Sequence, residues 1–204
     1  MEPTTFINLS GGIDSTYYLW RWLRENPNES IRVHHCYFNE SRKDTEQQAT
    51  DSILQWLRDN GLGNFEYVKT IMSKGSIKEK THDVEMIGAI AGFACRKKSI
   101  KNVLLSYCFE ETPVIRRHLE KGQRLRELNP IHRTKVFMQF MEYGAKRPLE
   151  FLIPYMDKTK RQMIMELPRE LLEMTWFCRN PQEGKPCGIC FNCKRVLPHY
   201  RQRK

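Results

Sequence analysis

The chain has 204 residues, a formal net charge of +10, 40% hydrophobic residues and seven cysteines. That length suits one α/β domain with a proper core plus a small appendage, and excludes two large domains. No apolar stretch approaches the roughly 20 residues needed to cross a bilayer, and the N-terminus lacks the basic, apolar and small-residue order of a secretory signal, so a cytoplasmic location with no membrane partner is expected.

Residues 4–9 are β-branched and apolar enough for a first strand, and residues 16–23 read as a helix. Between them lies Ser10-Gly11-Gly12-Ile13-Asp14-Ser15-Thr16. Gly11 and Gly12 open backbone conformations closed to other residues and leave no side chains between the amides and a bound anion. Ser10 and Ser15 add hydroxyls, and the helix start adds unpaired N–H groups and the positive end of its dipole. Gly-Gly alone describes an ordinary turn; the seven residues in this setting favour a pyrophosphate cradle, hence ATP. Asp14 cannot attract phosphate, so its expected role is to brace the loop or position Mg²⁺. The absence of GKS or GKT excludes the Walker loop.

A second strand is predicted at residues 32–38, then a helix over 45–60 with Ala49, Ile53, Leu54 and Leu57 at helical spacing, stopped by Gly61. A third strand at 65–72 precedes a helix at 84–97 and a fourth strand at 102–107. Two helices are expected within 113–143, a short strand near 149–153, and one helix over 159–172. The alternation implies an α/β fold: a parallel sheet with helices on both faces and the nucleotide beyond the strands' carboxyl ends. The polar segment 110–130 fits a lid or an exposed helix. Basic residues are dense from Arg116 to Arg147, but the interspersed Glu120, Glu127 and Glu142 favour a solvated face over a nucleic-acid track.

Cys36, Cys95 and Cys108 lie apart in apolar segments and read as small buried side chains. Cys178, Cys187, Cys190 and Cys193 form a C-x8-C-x2-C-x2-C series. Two short steps wrap one ion, and the loop with Pro181, Gly184 and Pro186 returns Cys178 as fourth ligand. Four thiolates leave no open position, so the expected role is structural, with one Zn²⁺ favoured over an iron–sulfur cluster because the knuckle is compact and consecutive. None of the six histidines has metal spacing, and ordinary core or surface roles are favoured for all of them.

The N-terminal loop, Leu9 to Thr16, is similar to the signature of the PP-loop ATP pyrophosphatases, with their adenine nucleotide alpha-hydrolase-like fold. Together with Thr175-Trp176-Phe177-Cys178 and Pro186-Cys187-Gly188-Ile189-Cys190-Phe191-Asn192-Cys193, it resembles the 7-cyano-7-deazaguanine synthases. The expected division is a PP-loop nucleotide-binding α/β domain over residues 1–157 and a C-terminal helix with the four-cysteine zinc segment over 158–204. The resemblance implies ATP-driven conversion of 7-carboxy-7-deazaguanine and ammonia to the nitrile through an adenylated carboxylate and an amide. ATP would meet Leu9, Ser10, Gly11, Gly12, Ile13, Asp14, Ser15 and Thr16. Ile153-Pro154-Tyr155-Met156 with Thr159-Lys160 looks like the family's entry into its last helix, which makes Lys160, with Asp14, a candidate catalytic residue.

The middle of the chain departs from the family. Thr81 to Gly88 stand in place of a Pro-Gly-Arg-Asn loop, and Phe109-Glu110-Glu111-Thr112-Pro113 in place of Tyr-Pro-Asp-Cys-Arg. Asp83, Glu85, Glu110 and Glu111 are candidates for a guanine-like edge, although surface carboxylates are the plainer reading of each. A tRNA-modifying PP-loop enzyme such as a thiolase, with nucleic acid on the basic surface, is the alternative enzyme; a nucleotide-sensing module is the non-catalytic one. A homodimer stays open.

Overall fold

A computed structural model describes residues 1–38, 43–73, 83–108 and 130–203. In chain order the elements are β1 (Thr5–Asn8), α1 (Ile13–Glu25), β2 (Ile31–Phe38), α2 (Lys43–Asp59), β3 (Phe65–Met72), α3 (Asp83–Ala94), β4 (Asn102–Leu104), α4 (Pro130–Ala145), β5 (Glu150–Leu152), α5 (Lys160–Glu166), α6 (Arg169–Met174) and α7 (Phe191–Gln202). The described strands form one parallel sheet in the order β3-β2-β1-β4-β5. The chain reverses direction across the sheet between β1 and β4. Ligands of such sheets bind beyond the strand ends at that switch point, which is where the loop after β1 emerges.

Alternation along β1 sorts its side chains to the two faces. Ile7 and Leu9 pack with Ile31, Val33 and Leu104 of the sheet and with Tyr17, Leu19 and Leu23 of α1. Met163, Ile164, Leu171, Leu172 and Val196 join the same core, so the C-terminal helices are built onto the sheet. Phe6, Val103 and Leu105 face the other way, against Ala91, Cys95 and Met141 of the α3–α4 side. Those two helices touch backbone to backbone. A Cβ on Gly92 would lie 2.2 Å from the Met141 carbonyl oxygen, and one on Gly144 would lie 2.4 Å from that of Ala89.

Several expectations shift on the structure. The helix expected over 159–172 is two helices, α5 and α6. Pro168 has no N–H to continue the ladder, and Leu167 before it takes an extended ψ of 141°, as a residue preceding proline must. Regular β4 ends at Leu104, although the Leu105 N–H still reaches the Leu152 carbonyl at 2.9 Å. Helix α7 was not anticipated; Cys190 caps it by accepting from the Cys193 N–H. The lid expectation, Glu110, Glu111 and most of the basic run lie outside the described residues. Arg147, at the end of that run, holds chain together: it donates to the carbonyls of Cys95, Lys97 and Ile100. Cys95 and Cys108 are buried as expected and Cys36 is half-buried. No helix among the described residues is long and apolar enough to cross a membrane.

Candidate functional site

The loop after β1 is shaped by its own small residues. Gly11 sits at φ +73°, and Gly12 precedes α1 with φ −83° and ψ 165° and no side-chain cap. The Ser15 hydroxyl contacts the Ser10 hydroxyl at 3.0 Å, accepts the Ser10 N–H at 3.1 Å and lies 3.2 Å from the Gly12 carbonyl. The N–H groups of Ile13, Asp14 and Ser15 open the helix and have no carbonyl one turn earlier to bond. A ring of amides with the helix dipole behind it is suited to an anion. Leu9 and Thr16 are buried and seat this turn; the Leu9 N–H donates to the His34 carbonyl at 2.8 Å.

Two buried histidines lie beneath. His35 Nδ1 donates to the Leu9 carbonyl at 2.6 Å, while His34 Nδ1 donates to Asn8 Oδ1 at 2.8 Å and its Nε2 accepts from the Thr70 hydroxyl at 3.0 Å. Burial pushes His34 down to about 4 and also lowers His35. Both are therefore neutral supports of the loop, in keeping with the core role expected from their strand.

The loop opens into a cleft of about 290 Å³ whose other walls come from the C-terminal segment. Ser10, Gly12, Ile13 and Asp14 meet Lys160 from α5 and Arg179, Asn192 and Arg195 from around the cysteines. Asp14 and Lys160, distant in sequence, form an ion pair. Lys160 is held at the start of α5, where Thr159 and Gln162 make a reciprocal capping box. Arg195 donates to Cys108 Sγ at 3.3 Å and stacks 5.3 Å from the Phe191 ring centre. Glu46 of α2 completes the rim. Arg179 and Arg195 escaped the sequence reading, which took Trp176, Phe177 and Asn192 only as motif letters. Their signal was adjacency to the four clustered cysteines, which ties them to wherever the knuckle docks.

The four cysteine sulfurs all lie within 4.8 Å of one another. Cys178 and Cys187 are 3.6 Å apart, and Cys187 and Cys193 are 4.0 Å apart. Tetrahedral zinc, with bonds of about 2.3 Å, sets its sulfurs about 3.8 Å apart, so one ion fits this donor set. Thiolates around four irons stand outside a larger body than a single ion. Backbone N–H groups point at the sulfurs: Cys187 N–H at Cys178 Sγ (3.3 Å), Cys190 N–H at Cys187 Sγ and Cys193 N–H at Cys190 Sγ (3.4 Å each). At Cys187 the Cys190 amide leads in lowering the thiol. At Cys190 burial works upward, but hydrogen bonds led by the Arg179 amide outweigh it and bring the thiol to about 6. Cys187 and Cys190 are thus drawn toward the thiolate that a metal takes, whereas burial pushes the Cys193 thiol the other way, up to about 12.

No family model and no curated protein matches the chain. A solved structure does: the U34-tRNA thiolase NcsA from Methanococcus maripaludis with its [4Fe-4S] cluster, at a TM-score of 0.52 and 12% identity, covering 97% of this chain and 66% of that one. The two share an α/β fold built on a parallel sheet. It spans a little under two thirds of the thiolase's length, and at that identity the likeness is one of architecture.

Proposed function

We propose that the chain is an ATP-using enzyme of the PP-loop class that adenylates an oxygen of an anionic acceptor and lets a nitrogen nucleophile displace AMP. The observation that carries this reading is the single cleft shared by the Ser10–Ser15 cradle, the Asp14–Lys160 pair and the cations of the knuckle wall. The loop amides would hold the β,γ-phosphates. Asp14 offers a carboxylate at the right edge for Mg²⁺, which when bound would share the charge of the leaving pyrophosphate. Lys160, released from Asp14, would reach the phosphates or the developing intermediate. Arg179, Arg195 and Asn192 on the opposite wall would orient the acceptor, so that its oxygen faces the α-phosphorus. Catalysis would come from positioning and fixed positive charge.

The acceptor that best matches the paired motifs is 7-carboxy-7-deazaguanine. Its carboxylate oxygen attacks the α-phosphorus and pyrophosphate leaves; ammonia then adds to the acyl carbon, loses a proton and expels AMP, giving the amide. Adenylation of the amide oxygen followed by loss of AMP and the nitrogen's protons gives the nitrile. One Zn²⁺ on Cys178, Cys187, Cys190 and Cys193 would hold the knuckle wall in place.

A second reading, tRNA thiolation, is favoured by the fold neighbour. The close spacing of the four sulfurs, which suits one ion, speaks for the first. Incubation with ATP, Mg²⁺, ammonia and the carboxy-deazaguanine should yield amide and nitrile by mass spectrometry, with AMP and pyrophosphate. No nitrile there, with thionucleoside formed when tRNA and a sulfide donor replace the ammonia and the deazaguanine, would replace it with the second reading.

A further inference from the structure

The cysteine knuckle and the phosphate loop are joined by a short strut. The Gly11 carbonyl, on the residue at φ +73°, accepts the Trp176 N–H at 2.8 Å. The Trp176 carbonyl lies 3.6 Å from where a Cβ on Gly12 would stand, so the strut runs along both glycines. The Trp176 indole N–H donates to the Cys178 carbonyl at 2.9 Å, and Cys178 is the first of the four thiols. Only Phe177 separates them.

The peptide plane gives this contact its significance. In a trans peptide, the carbonyl and the following N–H point in opposite directions. Drawing the Gly11 carbonyl outward to Trp176 aims the Gly12 N–H inward, toward Ser10 Oγ at 3.3 Å on the cradle side. The strut's upstream end is anchored by protein: the Thr175 N–H and hydroxyl both donate to the Leu172 carbonyl, at 3.0 and 2.7 Å. Its downstream end continues into a segment that is exposed from Arg179 to Pro186 except at half-buried Pro181, where apolar packing offers little hold. There the cysteines are the anchor.

We infer that Trp176 is a positioning residue through which the four-cysteine site sets the phosphate loop, so that metal occupancy and nucleotide binding are coupled. The inference rests on the ATP reading of the loop. It extends the knuckle's role from folding its own segment to holding Gly12 in its anion-binding orientation. Coupling between sites is reciprocal at equilibrium, so nucleotide must tighten the metal by the factor by which the metal tightens nucleotide.

The test uses the intact, zinc-loaded chain. Zn²⁺ affinity is measured by equilibrium competition against a chelator, with and without a saturating non-hydrolysable ATP analogue and Mg²⁺. Nucleotide should raise zinc affinity about tenfold, within the range usual for coupled sites. Trp176→Phe, which keeps the backbone strut but removes the indole link to Cys178, should retain one zinc per chain and lose most of that enhancement. Zinc affinity indifferent to bound nucleotide would overturn the inference while leaving the ATP reading intact. A zinc-loaded chain that binds no nucleotide would remove both.

Discussion

The loop after β1 and the cysteine knuckle face one cleft from opposite ends of the chain, yet they are held by different physics. The loop is an outgrowth of the core. Leu9 and Ile13 on its flanks are buried, α1 continues it, and two neutral histidines support it from below. The knuckle has Ile189 and Phe191 each 70% exposed beside its ligands, and its sulfurs gather around a common point. A site built on a core keeps its shape without its ligand, whereas one built on four thiols derives its shape from the ion. With the proposed zinc in place, the same cleft therefore has one wall set by folding and another set by metal.

Removing one thiol should produce the largest effect. Metal binding in small zinc modules supplies on the order of 10 kcal/mol of folding free energy. Cys190→Ser should lower bound zinc from one per chain to none and leave little soluble protein, as read by elemental analysis and gel filtration. Because Val196 of α7 is part of the main core, the damage should spread beyond the knuckle. A soluble Cys190→Ser chain with unchanged thermal stability would contradict the division drawn between the two walls.

Acid should probe the loop wall. His34 is fully buried, and its folded value of about 4 lies below the ordinary 6.5. Between those values the unfolded chain binds the extra proton, so stability is complete above the upper value and is lost as pH falls toward the lower one. By that linkage about 2 kcal/mol should be gone near pH 5, seen as a lower urea midpoint with zinc kept in excess. A His34 ring titrating at its ordinary value by NMR would show that the support under the loop is not the dry site described.

What could be read in advance follows the same division. β3 spans the residues expected, because a β-branched run bounded by Gly61, Gly63 and Ser73 has few alternatives; the loop was legible because its chemistry is contiguous. The break at Pro168 was missed because Met163, Ile164, Leu171 and Leu172 keep a helical apolar spacing on both sides of it. α7 was hidden by its own cysteines, since a residue that reads as a metal ligand can also cap a helix, as Cys190 does. Arg179 and Arg195 reach the cleft through the docking of Trp176 on Gly11, and that long-range contact has no periodic signature. The acceptor's edge-binding residues were sought at Glu110 and Glu111, outside the described structure, and at Asp83 and Glu85 on α3.

The smallest effect isolates crowding from backbone strain. Gly11 and Gly188 have nearly the same conformation, φ +73° and +74°, one in each wall. Alanine at either must enter the left-handed region at a cost of about 1–2 kcal/mol. At Gly188 the new methyl meets nothing within 4 Å. At Gly11 it would stand 3.2 Å from Thr50 Oγ1, 3.3 Å from Ala49 Cβ and 3.4 Å from the Glu46 carbonyl, against α2. Overpacking of that kind should make Gly11→Ala less stable than Gly188→Ala by about 1 kcal/mol in paired urea unfolding. The function lost should differ as well: Gly11→Ala should keep one zinc and bind nucleotide at least tenfold more weakly, because pushing the loop off α2 also turns the carbonyl that Trp176 holds. Equal stabilities for the two variants would mean that the loop can retreat from α2, and the rigidity ascribed to the core-built wall would then have to come from the strut.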